Sequence, residues 1–303
     1  MRKIAACLFG TLLVFIMLPA NAVPSATEVA RIEAAAPSAP SVKPEKPRKV
    51  LVFSKFYGYN HTAVPYGKVA FEALGKKTGA YTPVVSDDDS MLEPKNISQF
   101  DAIIFNNTNN DIFLPRNYDK LSAEEKAKAD ARDAMLKQSL VHYLKRGGGL
   151  AVIHAGVATF RKWPEFGNIS GGRFDNHPWG AGSTVTLKVD DPTHPVVSHA
   201  FPSGSFTVTD EIYQIKGPYS RKKQRVLLSI DTSKTDMTRP GIHRKDGDFA
   251  MTWVKPYGKG RVFYNALGHM HEIYWNPQVL RHWLDGVQFV IGDLKGPISP
   301  SEK

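Results

Sequence analysis

The segment that most constrains the fold is a short apolar run bounded by glycines, from Gly147 to Gly156. Its core, Leu150–Ile153, is apolar at every position, which predicts a strand buried on both faces of a parallel sheet. His154 follows at the C-terminal end of this strand, the edge where ligands bind in open α/β sheets. A histidine there could be a base, a metal ligand or an orienting donor, and a hydrogen-bonded core histidine is the structural alternative.

Similar apolar runs alternate with helical patterns through the first half of the chain. The predicted strands are Lys49–Ser54, Tyr81–Val85, Asp101–Phe105 and Leu150–His154, and the clearest helix runs from Ser122 to Arg146. Such alternation is typical of an α/β fold with right-handed crossovers. We therefore expect a doubly wound, mostly parallel sheet with flavodoxin-like strand order.

A different pattern follows Gly171, where apolar and polar residues alternate as they do in antiparallel strands. The strand candidates here are Thr184–Val189, Ser205–Thr209, Val226–Ile230 and Ala250–Val254. We expect them to form an antiparallel, β-rich extension of the main sheet together with a smaller insertion. The chain then returns through the strand Arg261–Asn265 to a final helix, Pro277–Ile291.

The two ends of the chain differ in composition from its middle. Residues 1–22 combine Arg2 and Lys3, an apolar stretch and the small-residue site Ala20-Asn21-Ala22, which predicts a signal peptide and export, periplasmic or secreted. No later segment predicts a transmembrane span. We expect residues 23–48, rich in proline and alanine, to be a disordered linker, residues 49–297 a single α/β domain, and residues 298–303 a disordered tail.

Composition argues against two classes of function. Cys7 is the only cysteine and lies in the predicted signal peptide, so the mature chain has no disulfide, thiol nucleophile or thiolate ligand. The net charge is +10, to which Arg2 and Lys3 contribute two, and the other basic residues are scattered. Scattered charge on an exported protein argues against a nucleic-acid partner and favours a solvated basic surface.

Polar residues that could carry chemistry follow the predicted strands: His61, His154, His177 in the predicted loop Asp175–Pro178, Glu211, and the run His269–Glu272. A divalent metal, Zn²⁺, Mn²⁺ or Ni²⁺, would suit imidazole and carboxylate groups, and we expect His154, His177 and His269 as its ligands. Alternatively, His154, His61, Glu211 and Glu272 could act as catalytic acids and bases. The spacing matches no metal motif, so both alternatives stay open.

Aromatic and amide side chains near the same loops are candidates for substrate binding: Tyr59, Asn107, Phe174, Trp179, Tyr213 and Trp275. Aromatic rings can stack on the apolar faces of sugar rings, although packing of loops onto the sheet is their commoner use.

Together these segments resemble the ThuA-like (trehalose utilisation) family, within the class I glutamine-amidotransferase-like superfamily. The matching segments span nearly all of the predicted domain: Val50–His61, Gly147–Gly156, Gly171–Pro178, Asp210–Tyr213 and Gly258–His269. The resemblance implies a flavodoxin-like α/β sandwich. Where amidotransferases carry a catalytic cysteine, this chain has His154, which excludes a thiol-dependent glutaminase mechanism.

The family is associated with catabolism of trehalose and related disaccharides, alongside oxidoreductases that make 3-keto-sugars. The resemblance therefore implies a small carbohydrate as the partner. We expect an exported enzyme of the hydrolase or lyase type that acts on a glycoside or 3-keto-sugar by histidine- or metal-assisted acid–base chemistry. The alternative is a non-catalytic carbohydrate-binding or cell-envelope protein.

Overall fold

One nine-stranded sheet organises residues 23–300, the part of the chain that the structure, a computed structural model, describes. The signal peptide expected at residues 1–22 lies outside these residues. The strands in chain order are β1 (Lys49–Phe53), β2 (Thr82–Val85), β3 (Ala102–Asn106), β4 (Gly149–Ile153), β5 (Arg173–Val189), β6 (Ser205–Lys216), β7 (Arg225–Ile230), β8 (Ala250–Tyr257) and β9 (Gly260–Asn265). Their order across the sheet is β2-β1-β3-β4-β9-β8-β7-β5-β6.

Helices connect and cover these strands. The α-helices are α1 (Ala26–Ala35), α2 (Val64–Thr78), α3 (Pro94–Ile97), α4 (Ala123–Lys145), α5 (Pro164–Ser170), α6 (Pro195–Ser198) and α7 (Pro277–Ile291). Short 3₁₀ helices occupy Asp89–Leu92, Tyr118–Lys120, His154–Ala158 and His271–Trp275. None of the helices within residues 23–300 is long and apolar enough to cross a membrane.

The sheet has a parallel and an antiparallel half. Strands β2, β1, β3, β4 and β9 pair in parallel, with β1, β3 and β4 almost wholly buried. Strands β8, β7, β5 and β6 continue the same sheet through antiparallel pairs. The expected α/β fold with an antiparallel extension is confirmed. Within residues 23–300 all these strands join one sheet, so no separate β-rich insertion forms there.

Local sequence explains the two best-predicted helices. Ser122 begins α4 with a capping box, since its hydroxyl accepts from the Glu125 amide while the Glu125 carboxylate accepts from the Ser122 amide. Helix α7 begins after Asn276, whose side chain accepts two backbone N–H bonds, and ends at Gly292 with φ of 97°. Its largely apolar sequence is buried from Val279 to Val290 except at Arg281.

Strands β5 and β6 form a long hairpin arm that reaches back over the parallel half. β5 contacts the 3₁₀ helix His154–Ala158, which follows β4. Register shifts between Phe174 and Ser183 bend the arm as β-bulges do. The loop predicted at Asp175–Pro178 is therefore wrong: these residues continue β5, because pairing with β6 overrides their turn-like composition.

The N-terminal segment of the described chain is not the disordered linker expected from its proline and alanine content. Ser25 and Glu28 form a capping box at α1, and Ile32 is fully buried. Farther along, the Gln288 side chain accepts from the Ser41 amide and donates to the Val42 carbonyl. The prediction of disorder is wrong because composition alone does not reveal these anchors.

The expected disordered tail at residues 298–303 is also corrected in part. Ile298 packs against the core and Arg225 donates a hydrogen bond to the Ser299 carbonyl. Residues 301–303 lie outside the described part of the chain.

Gly149 tests how tightly α7 packs on β4. A Cβ at Gly149 would lie 2.6 Å from the Val290 carbonyl oxygen, whereas one at Gly180 meets nothing within 4 Å. We expect Gly149→Ala to lower the free energy of unfolding by about 1–3 kcal/mol, the usual cost of overpacking. The matched change Gly180→Ala should stay within about 0.5 kcal/mol of wild type in the same urea titration. Equal effects of the two variants would contradict this packing.

Candidate active site

A cavity of about 470 Å³ opens at the C-terminal edge of the parallel strands, a volume within the ~300–1,000 Å³ range of small-molecule sites. His61 comes from the loop after β1 and His269 from the loop after β9. The β5–β6 arm covers the cavity and contributes His177 and Glu211. The site is therefore assembled from both halves of the sheet.

Four side chains from four separate segments converge beside this cavity. His61, His154, Glu211 and His269 each offer one nitrogen or oxygen atom, and these atoms all lie within 4.8 Å of one another. Oε2 of Glu211 is 3.1 Å from Nδ1 of His269 and 3.5 Å from Nε2 of His154. We call these four residues the histidine–glutamate cluster.

His154 is held in an orientation that exposes one nitrogen to the cluster. Its backbone is left-handed, with φ of 47°, a conformation that costs a non-glycine residue about 1–3 kcal/mol. Its Nδ1 lies 2.7 Å from the Ala266 carbonyl oxygen, which can only accept, so Nδ1 carries the proton. In a neutral ring Nε2 then presents its lone pair to the Glu211 carboxylate. Two acceptors facing each other call for a proton or a cation between them.

The remaining cluster nitrogens fit a cation. Nε2 of His154 and Nδ1 of His61 are buried without a hydrogen-bond partner among the described residues, and Nδ1 of His269 has the Glu211 carboxylate beside it. A tetrahedral ion with metal–nitrogen bonds of 2.0–2.1 Å separates its ligand atoms by about 3.3 Å, close to the two Glu211 distances. The carbonyl bond at His154 is also the outer contact that metal-bound histidines usually make. The cluster could therefore hold a divalent metal.

Asp210 fixes the loop that carries His269. Its fully buried carboxylate accepts hydrogen bonds from the backbone N–H groups of Gly268, His269 and Met270 at 2.7, 3.1 and 2.7 Å. Because neighbouring strand residues point to opposite faces, Asp210 holds this loop while Glu211 reaches the histidines.

The charges of the cluster depend on one another. Burial, with the nearby His154 and His269 adding to it, lowers the pKa of His61 to about 2. Burial alone would raise the pKa of Glu211, but hydrogen bonds and charge from His154 and His269 outweigh it and hold that pKa below its usual value. Burial alone would likewise lower the pKa of His269, but Glu211 outweighs it and raises that pKa. Without a metal, Glu211 is thus ionised and stabilises a proton on His269.

Three of the predicted substrate-binding residues line the cavity. The Tyr213 ring lies 4.3 Å from that of His154, and the Phe174 ring meets Tyr213 edge-on at 4.7 Å. Tyr59 is 67% exposed, with its ring 4.8 Å from that of His61. These rings give the cavity aromatic walls.

The other three predicted substrate contacts are corrected, because each side chain is used in packing away from the cavity. Asn107 is fully buried, and its amide donates to the Gly268 carbonyl and to the Tyr274 hydroxyl. Trp179 is fully buried and donates to the Asp236 carbonyl. Trp275 packs near Tyr66 instead of lining the cavity.

Two predicted chemical residues also differ from expectation. Glu272 is exposed on the 3₁₀ helix beyond His269 and does not line the cavity, because that helix turns it away. His177 lines the cavity, with Nδ1 3.5 Å from Oε1 of Glu211, but it does not belong to the histidine–glutamate cluster. The cluster contains His61 and Glu211 in addition to the predicted ligands His154 and His269, and it does not contain the predicted ligand His177.

Sequence reasoning missed Asn109, Asn110 and Arg161 as cavity-lining residues. The run of asparagines after β3 was a usable signal for the first two, because polar loops at this edge often bind ligands. Arg161 carries no such signal, since its place depends on how the chain folds after the 3₁₀ helix.

Comparisons with known proteins identify the family. The model of the ThuA family, described as trehalose utilisation, matches residues 49–290, and the chain therefore belongs to this family. No curated protein matches the chain.

Solved structures share the fold. A ThuA-like protein of Bacteroides uniformis ATCC 8492 is 22% identical, with a TM-score of 0.60 over 87% of this chain and 99% of its own. A ThuA-like protein of Parabacteroides merdae ATCC 43184 is 17% identical, with a TM-score of 0.54 over 83% and 93%. The cytoplasmic protein STM3548 of Salmonella typhimurium is 15% identical, with a TM-score of 0.52 over 80% and 98%.

The low pKa of His61 predicts a pH-dependent stability in metal-free protein. Below pH 6.5 the unfolded chain protonates this histidine and the folded chain does not, so folding stability falls with pH until about pH 2. Its contribution is up to about 1.4 kcal/mol per pH unit. Urea unfolding of chelator-treated protein at pH 7.5, 6 and 5 should show a weaker decline for His61→Gln than for wild type. Parallel declines would contradict the neutral, buried His61.

Proposed function

We propose that this protein is an exported, metal-dependent enzyme of carbohydrate catabolism that acts on a glycoside or 3-keto-sugar. The observation that carries the proposal is the unpartnered Nε2 of His154, which faces the Glu211 carboxylate at the edge of a cavity with aromatic walls. Family membership supports the carbohydrate substrate, and the composition of residues 1–22 supports export. The order of the five parallel strands supports a flavodoxin-like assignment of that half.

The histidine–glutamate cluster is the proposed metal site. Zn²⁺, Mn²⁺ and Ni²⁺ all accept this set of imidazole and carboxylate ligands. When bound, such an ion supplies a Lewis acid that polarises a substrate carbonyl oxygen. Asp210, through the loop of His269, and the Ala266 carbonyl, through His154, keep the ligand atoms oriented.

His177 is the proposed base. Its Nδ1 faces the ionised Glu211, so its Nε2 is left to accept a proton from a substrate in the cavity. In a 3-keto-glycoside the C3 carbonyl acidifies the proton on C2. His177 takes that proton, the electron pair left on C2 forms the C1–C2 double bond, the C1–O bond breaks, and the leaving oxygen takes a proton from water.

The aromatic walls position the sugar for this elimination. Phe174 and Tyr213 meet edge-on and together present a corner to the cavity, with Tyr59 exposed at its rim. A sugar ring placed against these side chains shields the reacting carbons from bulk water. The reaction needs one base and one electrophile and does not need two opposed carboxylic acids.

The proposed metal site predicts different effects for two glutamates. Glu211→Gln removes a ligand, which should weaken metal binding by more than roughly 100-fold, beyond the ~10–100-fold cost of losing an outer contact. Glu272→Gln removes a carboxylate that is exposed outside the cavity and should leave metal content unchanged. Elemental mass spectrometry of tagless protein measures both. Equal metal content in the two variants would contradict the assigned ligands.

Turnover of a panel of 3-keto-glycosides then tests the reaction. Wild type and Glu272→Gln should release the aglycone, whereas Glu211→Gln should not. His177→Gln should keep its metal but lose turnover, because it removes the base without removing a ligand. If metal-loaded wild type turns over no member of the panel, the enzymatic proposal is wrong; binding of unmodified sugars by that protein would favour the non-catalytic alternative.

A further inference from the structure

Arg161 lies at the rim of the cavity and has no role in the mechanism above. It is exposed, and its guanidinium carbon lies 5.2 Å from the centre of the Phe174 ring. No carboxylate of the described residues forms an ion pair with it, unlike Arg48, Arg132 and Arg225, which all have acidic partners. A guanidinium stacked on a ring keeps its N–H edge available, and that edge matches the two oxygens of a carboxylate or sulfate.

The charge balance of the cavity leaves Arg161 uncompensated. Among the described residues that line it, Glu211 is the only carboxylate, and that carboxylate faces His154, His177 and His269. A metal in the cluster would add further positive charge. The cavity therefore favours a ligand with negative charge near the rim.

Asn110 places a second donor beside Arg161. Its backbone is left-handed, with φ of 61°, and is fixed by bonds to the Ala158 carbonyl at 3.1 Å and from the Phe160 amide at 2.9 Å. Arg161 follows Phe160 directly, so the two residues share one side of the rim. The Asn110 side chain lines the cavity, and the structure gives its amide no hydrogen bond to another described residue.

Arg161 is connected to the cluster by a short series of contacts. Its guanidinium lies 5.2 Å from the centre of the Phe174 ring. The Phe174 ring lies 4.7 Å from that of Tyr213, and the Tyr213 ring lies 4.3 Å from that of His154. This path follows the aromatic wall on which a sugar would pack. An anionic group bound by Arg161 therefore belongs to the reacting sugar or to the sugar next to it.

We infer that the substrate is an anionic glycoside, with a carboxylate or sulfate that Arg161 binds through its guanidinium fork and Asn110 through its amide. This inference rests on the proposed function, because it names the substrate class of the same cavity. Arg161 determines specificity and takes no part in proton transfer.

Calorimetric titration of the purified full chain tests this inference with three unreactive probes. They are methyl β-D-glucuronide, methyl β-D-glucoside 6-sulfate and the neutral methyl β-D-glucoside. We expect at least one anionic probe to bind on the order of tenfold more tightly than the neutral one, the value of a charged hydrogen-bonded contact. The anionic probe that binds more tightly than the neutral one identifies the recognised group as a carboxylate or a sulfate.

Variants test whether Arg161 is the residue that gives the cavity its preference for an anionic probe. Arg161→Gln should abolish it while leaving binding of the neutral probe unchanged, and Arg161→Lys should keep only part of it, because a lysine lacks the planar fork. Lys162→Gln is the matched control: it removes the same charge at the next exposed residue, which does not line the cavity, and should keep the full preference. Circular dichroism confirms that each variant is folded.

The outcomes separate this inference from the proposed function. Equal binding of charged and neutral probes by wild type, or a preference that survives Arg161→Gln, would overturn the anionic subsite and leave the carbohydrate enzyme standing. Failure of all three probes to bind would also overturn the anionic subsite, whereas the proposed function stands or falls separately with turnover of the 3-keto-glycoside panel.

Discussion

The hydrogen bond between Nδ1 of His154 and the Ala266 carbonyl is the interaction on which the site depends. It fixes the ring of a residue in a left-handed conformation, and it assigns the proton to Nδ1. The other nitrogen must then face Glu211 as an acceptor. A buried pair of acceptors is unfavourable unless a proton or cation lies between them. The left-handed backbone of His154 and the buried Glu211 carboxylate therefore lie together at the edge of the cavity.

The architecture explains how these groups meet. Parallel strands bring His61, His154 and His269 to one edge, as is usual in α/β sheets. The carboxylate comes from the other half, because the β5–β6 arm crosses over that edge and delivers Glu211. Asp210, the preceding residue on the arm, binds the loop of His269. Two neighbouring residues of the arm therefore bind the loop after β9 and complete the cluster.

Much of this arrangement is predictable from the sequence, and the limits are physical. Strand periodicity and helix caps locate the parallel strands and give α7 its boundaries, because these signals are local. Convergence of histidines after strands follows from parallel pairing. Whether a side chain such as Trp179 or Asn107 lines the cavity or supports it depends on tertiary packing, as does the order of α1. The position of Arg161 at the cavity is likewise not predictable from local sequence, since it follows from the path of a loop.

Anomalous X-ray scattering from crystals of the metal-loaded protein, collected on both sides of the absorption edge of the bound element, tests the central claim most directly. The account predicts one strong peak enclosed by His61, His154, His269 and Glu211, with ligand distances of about 2.0–2.2 Å if the ion is zinc. A cluster with no anomalous peak in protein that carries stoichiometric metal, or a peak elsewhere on the molecule, would contradict it.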